Sequence, residues 1–281
     1  MRIAFGARLS LRRLLHSSRA RITAAALAVV LCCSAALTLT TTDESSDGPR
    51  AITSSEAQRL AMVRLTAFED SPNAVTVTVD NGTESYTVRG LIDYRTHRAV
   101  GAYAADVSGS KTQKGLVAWD KSGLAVATGK KASSPSSTMA EITRAVAKVP
   151  RTNWSTRAYA AYPLDVALRM VMALGADRPD NAQLLAQSGP RYLGESTLRG
   201  KSYTRFSGPR PQPRSSESAR AKTRRKGPSP LTYWVDEQGE LGRLEIKSTS
   251  MKRPVIVDFT GRAAHVKVPG QPWREPSPRL K

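Results

Sequence analysis

The chain has 281 residues, 40% hydrophobic and 6% aromatic, with 43 basic against 23 acidic side chains and a net charge of +20. That length holds an anchor, a linker and one domain of about 230 residues with a sizeable core. Most of the net positive charge lies in residues 1–21, 208–230 and 262–281, so the rest is close to neutral. This distribution excludes a basic DNA-reading domain, whose charge would lie on a structured face.

Residues 1–21 carry Arg2, Arg8, Arg12, Arg13, Arg19 and Arg21 and no acid, and lead into Ile22–Leu39, ITAAALAVVLCCSAALTL, which has no charge. A bilayer takes about twenty residues of apolar helix, and no other apolar run in the chain is long enough. Residues 22–41 therefore read as a transmembrane signal-anchor. The positive-inside rule keeps the arm cytoplasmic and puts everything from residue 42 outside, a single-pass arrangement in the cell membrane. Ser34 and Ala36 offer a small-x-small site, and cleavage there would give a secreted protein. The length of the run and the lack of a proline or glycine break before Ala36 favour a retained anchor. Both cysteines, Cys32 and Cys33, lie inside the run, so no disulfide can staple the ectodomain. Neither follows a small residue of the kind lipid attachment requires.

Residues 42–52 read as a polar linker. Thr53-Ser-Ser-Glu56 then predicts a capping box and a helix to about Glu69, with Leu60, Ala61, Leu65 and Phe68 on its apolar face, stopped at Ser71-Pro72. From Ala74 the period changes to two. Val75, Val77 and Val79 alternate with polar residues, and Asn81-Gly82 supplies two left-handed residues for a tight hairpin. Strands follow at Tyr86–Asp93, Ala99–Val107, Lys114–Trp119 and Leu124–Thr128, with Asp120–Gly123 as the last turn, making a five-stranded antiparallel meander.

A second capping box, Thr138 with Glu141, starts a helix to about Lys148. Another helix begins at Pro163 and ends at Gly175 as its C-terminal glycine. It is apolar nearly all round, and its Asp165 and Arg169 are spaced to pair. A short helix covers Asn181–Gln187. Strands resume at Tyr192–Leu198, turn at Arg199-Gly200 and run to Phe206. A proline, serine and arginine rich loop, 208–230, precedes a final meander at Leu231–Val235, Leu241–Lys247 and Pro254–Phe259. The tail, 269–281, has four prolines and reads as disordered.

This order of helix, long meander, helical insertion and second meander resembles the bacterial lipoprotein-carrier (LolA-like) superfamily, including its actinobacterial LppX/LprG-type membrane-anchored members. The likeness is carried by VRGLIDYRTHRAVG at Val88–Gly101, LVAWD at Leu116–Asp120, PLDVALRMVMALGADRPDNAQLL at Pro163–Leu185 and LTYWVDEQGELGRLEIK at Leu231–Lys247. It covers about Ser54–Val268. The resemblance implies an α+β fold: a curved antiparallel β half-barrel of about eleven strands, with helices packed in its concave face and an apolar cavity for acyl chains. The ectodomain would span 53–268. The chain departs from the pattern in lacking a convincing lipidation cysteine and in carrying the basic loop.

Little in the chain offers catalysis. Gly194–Ser202 and Gly123–Lys130 imitate a phosphate loop, but each has five residues between its glycines where four are needed, and neither leads into a helix. His16, His97 and His265 are scattered, and no HExxH or GxSxG occurs. Asp93, Asp120, Asp236 and Glu237 fall at strand ends, where turn chemistry explains them. No enzyme activity, metal, cofactor or nucleic-acid partner is expected. Tyr86, Tyr103, Trp119, Leu168, Val171, Met172, Tyr233 and Trp234 are the candidates for a ligand cavity, although the same residues would serve an ordinary dry core. Arg210, Arg214, Arg220, Lys222, Arg224, Arg225 and Lys226 could touch an anionic surface or stand solvated with no partner.

The expected function is thus an extracytoplasmic lipid- or lipoprotein-binding carrier or acceptor, attached to the membrane through residues 22–39 and taking a lipid or acylated ligand. The alternative is an envelope sensor or scaffold ectodomain that binds a protein partner.

Overall fold

The computed structural model describes residues 48–128, 138–209, 229–248 and 251–270, all within one compact unit, Asp47–Lys281. The basic arm, the apolar run with its cysteines, the seven basic candidates of 210–226 and the tail beyond residue 270 lie outside the described residues. Among the described residues no helix is long and apolar enough to cross a membrane.

The chain runs β1 (Arg50–Ala51), α1 (Ser54–Glu69), β2 (Asn73–Asp80), β3 (Glu84–Asp93), β4 (Arg98–Val107), β5 (Gln113–Asp120) and β6 (Gly123–Thr128). After these come α2 (Met139–Lys148), a 3-10 turn at Arg151–Asn153, β7 (Ser155–Ala158), α3 (Pro163–Met172) and α4 (Ala182–Gln187). The chain then returns through β8 (Arg191–Leu198), β9 (Lys201–Ser207), β10 (Leu231–Val235), β11 (Leu241–Ile246) and β12 (Val255–Arg262). All twelve strands join one open sheet in the order β1-β8-β9-β10-β11-β12-β2-β3-β4-β5-β6-β7, and neighbours pair antiparallel. The α+β class and both meanders match the expectation. The two outermost strands do not come from it. β1 lies where the linker was read and β7 falls between two helices. Neither has an apolar alternation, and among the described strands each pairs with a single neighbour.

Local chemistry fixes the elements. Thr53 and Glu56 close the capping box of α1, and the same carboxylate takes two hydrogen bonds from Arg50, at 2.7 and 2.8 Å. The Arg50 guanidinium lies 4.0 Å from the centre of the Tyr192 ring, so β1, α1 and β8 are clamped at one point. The buried face of α1 is Ala57, Leu60, Ala61, Val63 and Ala67; Leu65 and Phe68 are only half-buried. Thr138 and Glu141 cap α2 in the same way.

Three expectations need correction. At the β2–β3 turn only Gly82 is left-handed, with φ 93°. Asn81 instead accepts from Thr83 N, Thr83 Oγ1 and Glu84 N through Oδ1, which a side-chain amide does without positive φ. Helix α3 stops at Met172, before Gly175. That glycine is needed for packing, since a Cβ there would lie 2.3 Å from the Tyr94 ring. Asp165 does not pair with Arg169, which is exposed; it is buried and bound by Arg157.

Strand alternation divides the core between the two sheet faces. Val75, Val77, Val79, Val88, Val117, Trp119, Leu244 and Val257 join α1 and α3 in the larger core. Val100, Leu116, Ala118, Ala125 and Ala127 point the other way and pack with Val146 of α2 and Trp154. So α2 is not on the same face as α1 and α3, unlike the single helical layer that the resemblance implies. Its apolar stripe, Ile142 and Val146, needs the small alanines of β5 and β6 beneath it.

Candidate functional site

Beneath α3 the interior is filled. Trp119 and Val171 have no exposed surface, and Leu168 and Met172 only 1%, which leaves no water-sized space beside them. Glycines explain how the rings fit. Gly90 and Gly101 are opposite each other on β3 and β4, and a Cβ on Gly90 would come within 2.9 Å of the Trp119 ring. Likewise Gly115 faces Tyr103, whose ring occupies the space a side chain would take. The aromatics that could have walled a void fill it themselves.

Open space begins at the N-terminal end of α3. A mostly apolar cleft of about 490 Å³ is lined by Val79, Tyr86, Tyr162, Pro163, Leu164 and Met251, with Asn81, Glu84, Arg157 and Asp165 as its polar residues. The fold builds it from four pieces: the β2–β3 hairpin end, the edge strand β7, the first turn of α3 and the approach to β12. Val79 and Tyr86 are register partners across the hairpin, which points both side chains to the same face. Tyr162 is 67% exposed at the lip.

The first turn of α3 is held without a side-chain N-cap. Pro163 has no N–H to satisfy, and Asp165 supplies a carboxylate where the helix dipole favours one. Asp165 accepts from Ala160 N at 2.8 Å and from Arg157 Nη2 at 2.8 Å, with a further contact from Nη1. These bonds raise the pKa of Arg157, chiefly through the Asp165 hydrogen bond. Across the cleft the Tyr86 hydroxyl donates to Glu84 Oε2 at 2.9 Å, and that bond, with burial, raises its pKa above the usual tyrosine value.

A smaller cleft of about 190 Å³ opens on the other side of α3, between Leu60, Val63, Met170, Leu174, Leu185 and Tyr233. A third, of about 360 Å³, is more polar; Lys201 borders it and is paired with Glu240 at 2.8 Å and with the buried Asp236. Among the described residues no group of three or more His, Cys, Asp or Glu is placed to hold a metal.

The eight cavity candidates therefore part company. Trp119, Leu168, Val171 and Met172 are core, and Tyr103 is half-buried against them. Tyr86 lines the larger apolar cleft and Tyr233 the smaller one. Trp234 points to the opposite face of the sheet. It lies between Arg205 and Arg243, at 5.9 and 5.3 Å, and its indole N–H donates to Glu245 at 3.0 Å. Adjacent residues of one strand project to opposite faces, so Tyr233 and Trp234 could not both have lined one cavity. The cleft residues that sequence reasoning missed, Glu84, Arg157, Tyr162 and Met251, stand in turns and at an edge. Of the cleft lining only Tyr86 was among the sequence candidates; Leu164, on the first turn of α3, was not.

The sequence matches no protein-family model and no curated protein.

Proposed function

We propose that the ectodomain binds an apolar or acylated molecule in the cleft between the β2–β3 hairpin and the N-terminus of α3. The observation that carries this reading is the cleft: about 490 Å³, mostly apolar, with its few polar groups gathered around it, a size and make-up usual for small-molecule sites. Each methylene transferred from water to that surface would contribute about 0.8 kcal/mol. On this reading the sheet curves into the half-barrel of the lipoprotein-carrier resemblance, and the anchor at 22–39 holds the domain outside the cell membrane. A retained anchor suits a local acceptor better than a diffusing shuttle. Protein purified from its native membrane should carry extractable acyl chains, seen by mass spectrometry, and Leu164→Trp, which fills the cleft, should lose them. Equal recovery from both, or none from either, would reject the assignment.

The envelope sensor or scaffold reading draws on a different observation. Among the described residues the outer face of β9 to β11 presents the half-buried row Arg205, Trp234 and Arg243 with no helix over it, and half-buried aromatics and arginines are favoured at protein contacts. Crosslinking from position 234 to an envelope protein would support it.

A further inference from the structure

We propose that the cleft selects a single-chain amphiphile with a cationic head, a protonated primary amine, and that Glu84 is the residue that recognises it. The inference rests on the reading of the cleft as an apolar-ligand site and adds the chemistry of the head group.

Among the cleft-lining residues Arg157, Asp165 and Glu84 carry charge at neutral pH. The first two cancel. Arg157 grips both oxygens of a carboxylate that is 1% exposed, so the pair offers a ligand no net charge. Glu84 is different. Among the described residues its carboxylate meets no arginine, lysine or histidine, and the bond it receives comes from the neutral Tyr86 hydroxyl. Among the described residues the cleft lining thus keeps one uncompensated negative charge. Its position is fixed by the strand. Glu84 and Tyr86 are two apart on β3 and share a face, and Tyr86 is opposite Val79, which places the carboxylate beside the apolar wall.

An ammonium group placed at Glu84 would keep charge-assisted hydrogen bonds while its alkyl chain lies along Val79, Leu164 and Met251. A carboxylate or phosphate there would meet a like charge beside a poorly hydrated surface. The chain's net charge of +20 pulls the other way at long range. Salt screens it over about 8 Å, so the nearest charge decides.

The test is calorimetric titration of the full-length chain in amphipol at pH 7 with decylammonium and with decanoate, each below its micelle concentration. Leu164→Trp serves as the blocked reference. Decylammonium should bind the wild-type chain at least about tenfold more tightly than decanoate, and Glu84→Gln should bring the two within about threefold. Decanoate binding as tightly as the amine, or a preference that survives Glu84→Gln, would overturn the head-group assignment and leave the cleft as a binding site. Binding of neither above the blocked reference would overturn the cleft reading and this inference with it.

Discussion

Arg157 and Asp165, eight residues apart, tie the edge strand β7 to the first turn of α3: the guanidinium is about half exposed, the carboxylate almost wholly buried, and both carboxylate oxygens are used. The apolar cleft opens beside this pair. Its framework therefore depends on a bond between a strand with no apolar pattern and a helix with no side-chain cap.

Removing Arg157 would leave a buried carboxylate with the Ala160 N–H as its remaining described partner. Arg157→Ala should destabilise the fold by about 2–3 kcal/mol, below the cost for a fully buried pair because Arg157 is half in water. Urea unfolding checks this. The double variant with Asp165→Asn should cost less than the sum of the two singles, since the second change removes the stranded charge.

Gly175 should resist any side chain. A Cβ at 2.3 Å from Tyr94 cannot be relieved by a ring that has no exposed surface. Gly175→Ala should cost about 2–3 kcal/mol by overpacking, and Tyr94→Leu in the same chain should recover part of it. A thermal-unfolding comparison of the three variants would read this directly.

The two tryptophans first grouped together should behave differently. Trp119→Ala opens a hole in a filled core and should cost about 3–5 kcal/mol. Trp234→Ala loses an exposed-side sandwich with two arginines and should cost about 1–2 kcal/mol. Equal costs by urea unfolding would contradict their placement on opposite faces.

Glu56 gives the fold an acid-sensitive contact. Burial alone would raise its pKa, but the Arg50 hydrogen bond and the Thr53 N–H outweigh burial and hold it below the usual 4.5. The unfolded chain therefore takes up the proton first as pH falls. The stabilisation is full above about pH 5 and is lost as pH drops through the folded value. Between pH 6 and pH 3.5 the wild-type Tm should fall further than that of Glu56→Gln.

Much of this architecture is legible from the sequence. The capping boxes at Thr53 and Thr138, the valine alternation of β2 and the Arg199-Gly200 turn are local signals, and local signals survive folding. Edge strands are not legible in this way: β1 and β7 form because a neighbour is present, and Arg50 and Arg157 serve them through partners that only the fold brings near. The site was harder still. Trp119, Leu168 and Met172 look the same in sequence whether they wall a void or fill one. What decides between the two is the pair of glycines at 90 and 115, whose missing side chains make room for the Trp119 and Tyr103 rings. Trp234 illustrates a register effect: one residue along the strand moved it from the expected cavity to the other face.

Photoaffinity labelling with a diazirine-bearing alkylamine, followed by peptide mapping, tests the central claim most directly. The cleft assignment predicts labels on Tyr86, Leu164 and Met251, suppressed by Leu164→Trp. Labels concentrated on Leu168 and Met172, or on Trp234, would place the ligand in an opened core or on the outer face and would contradict it.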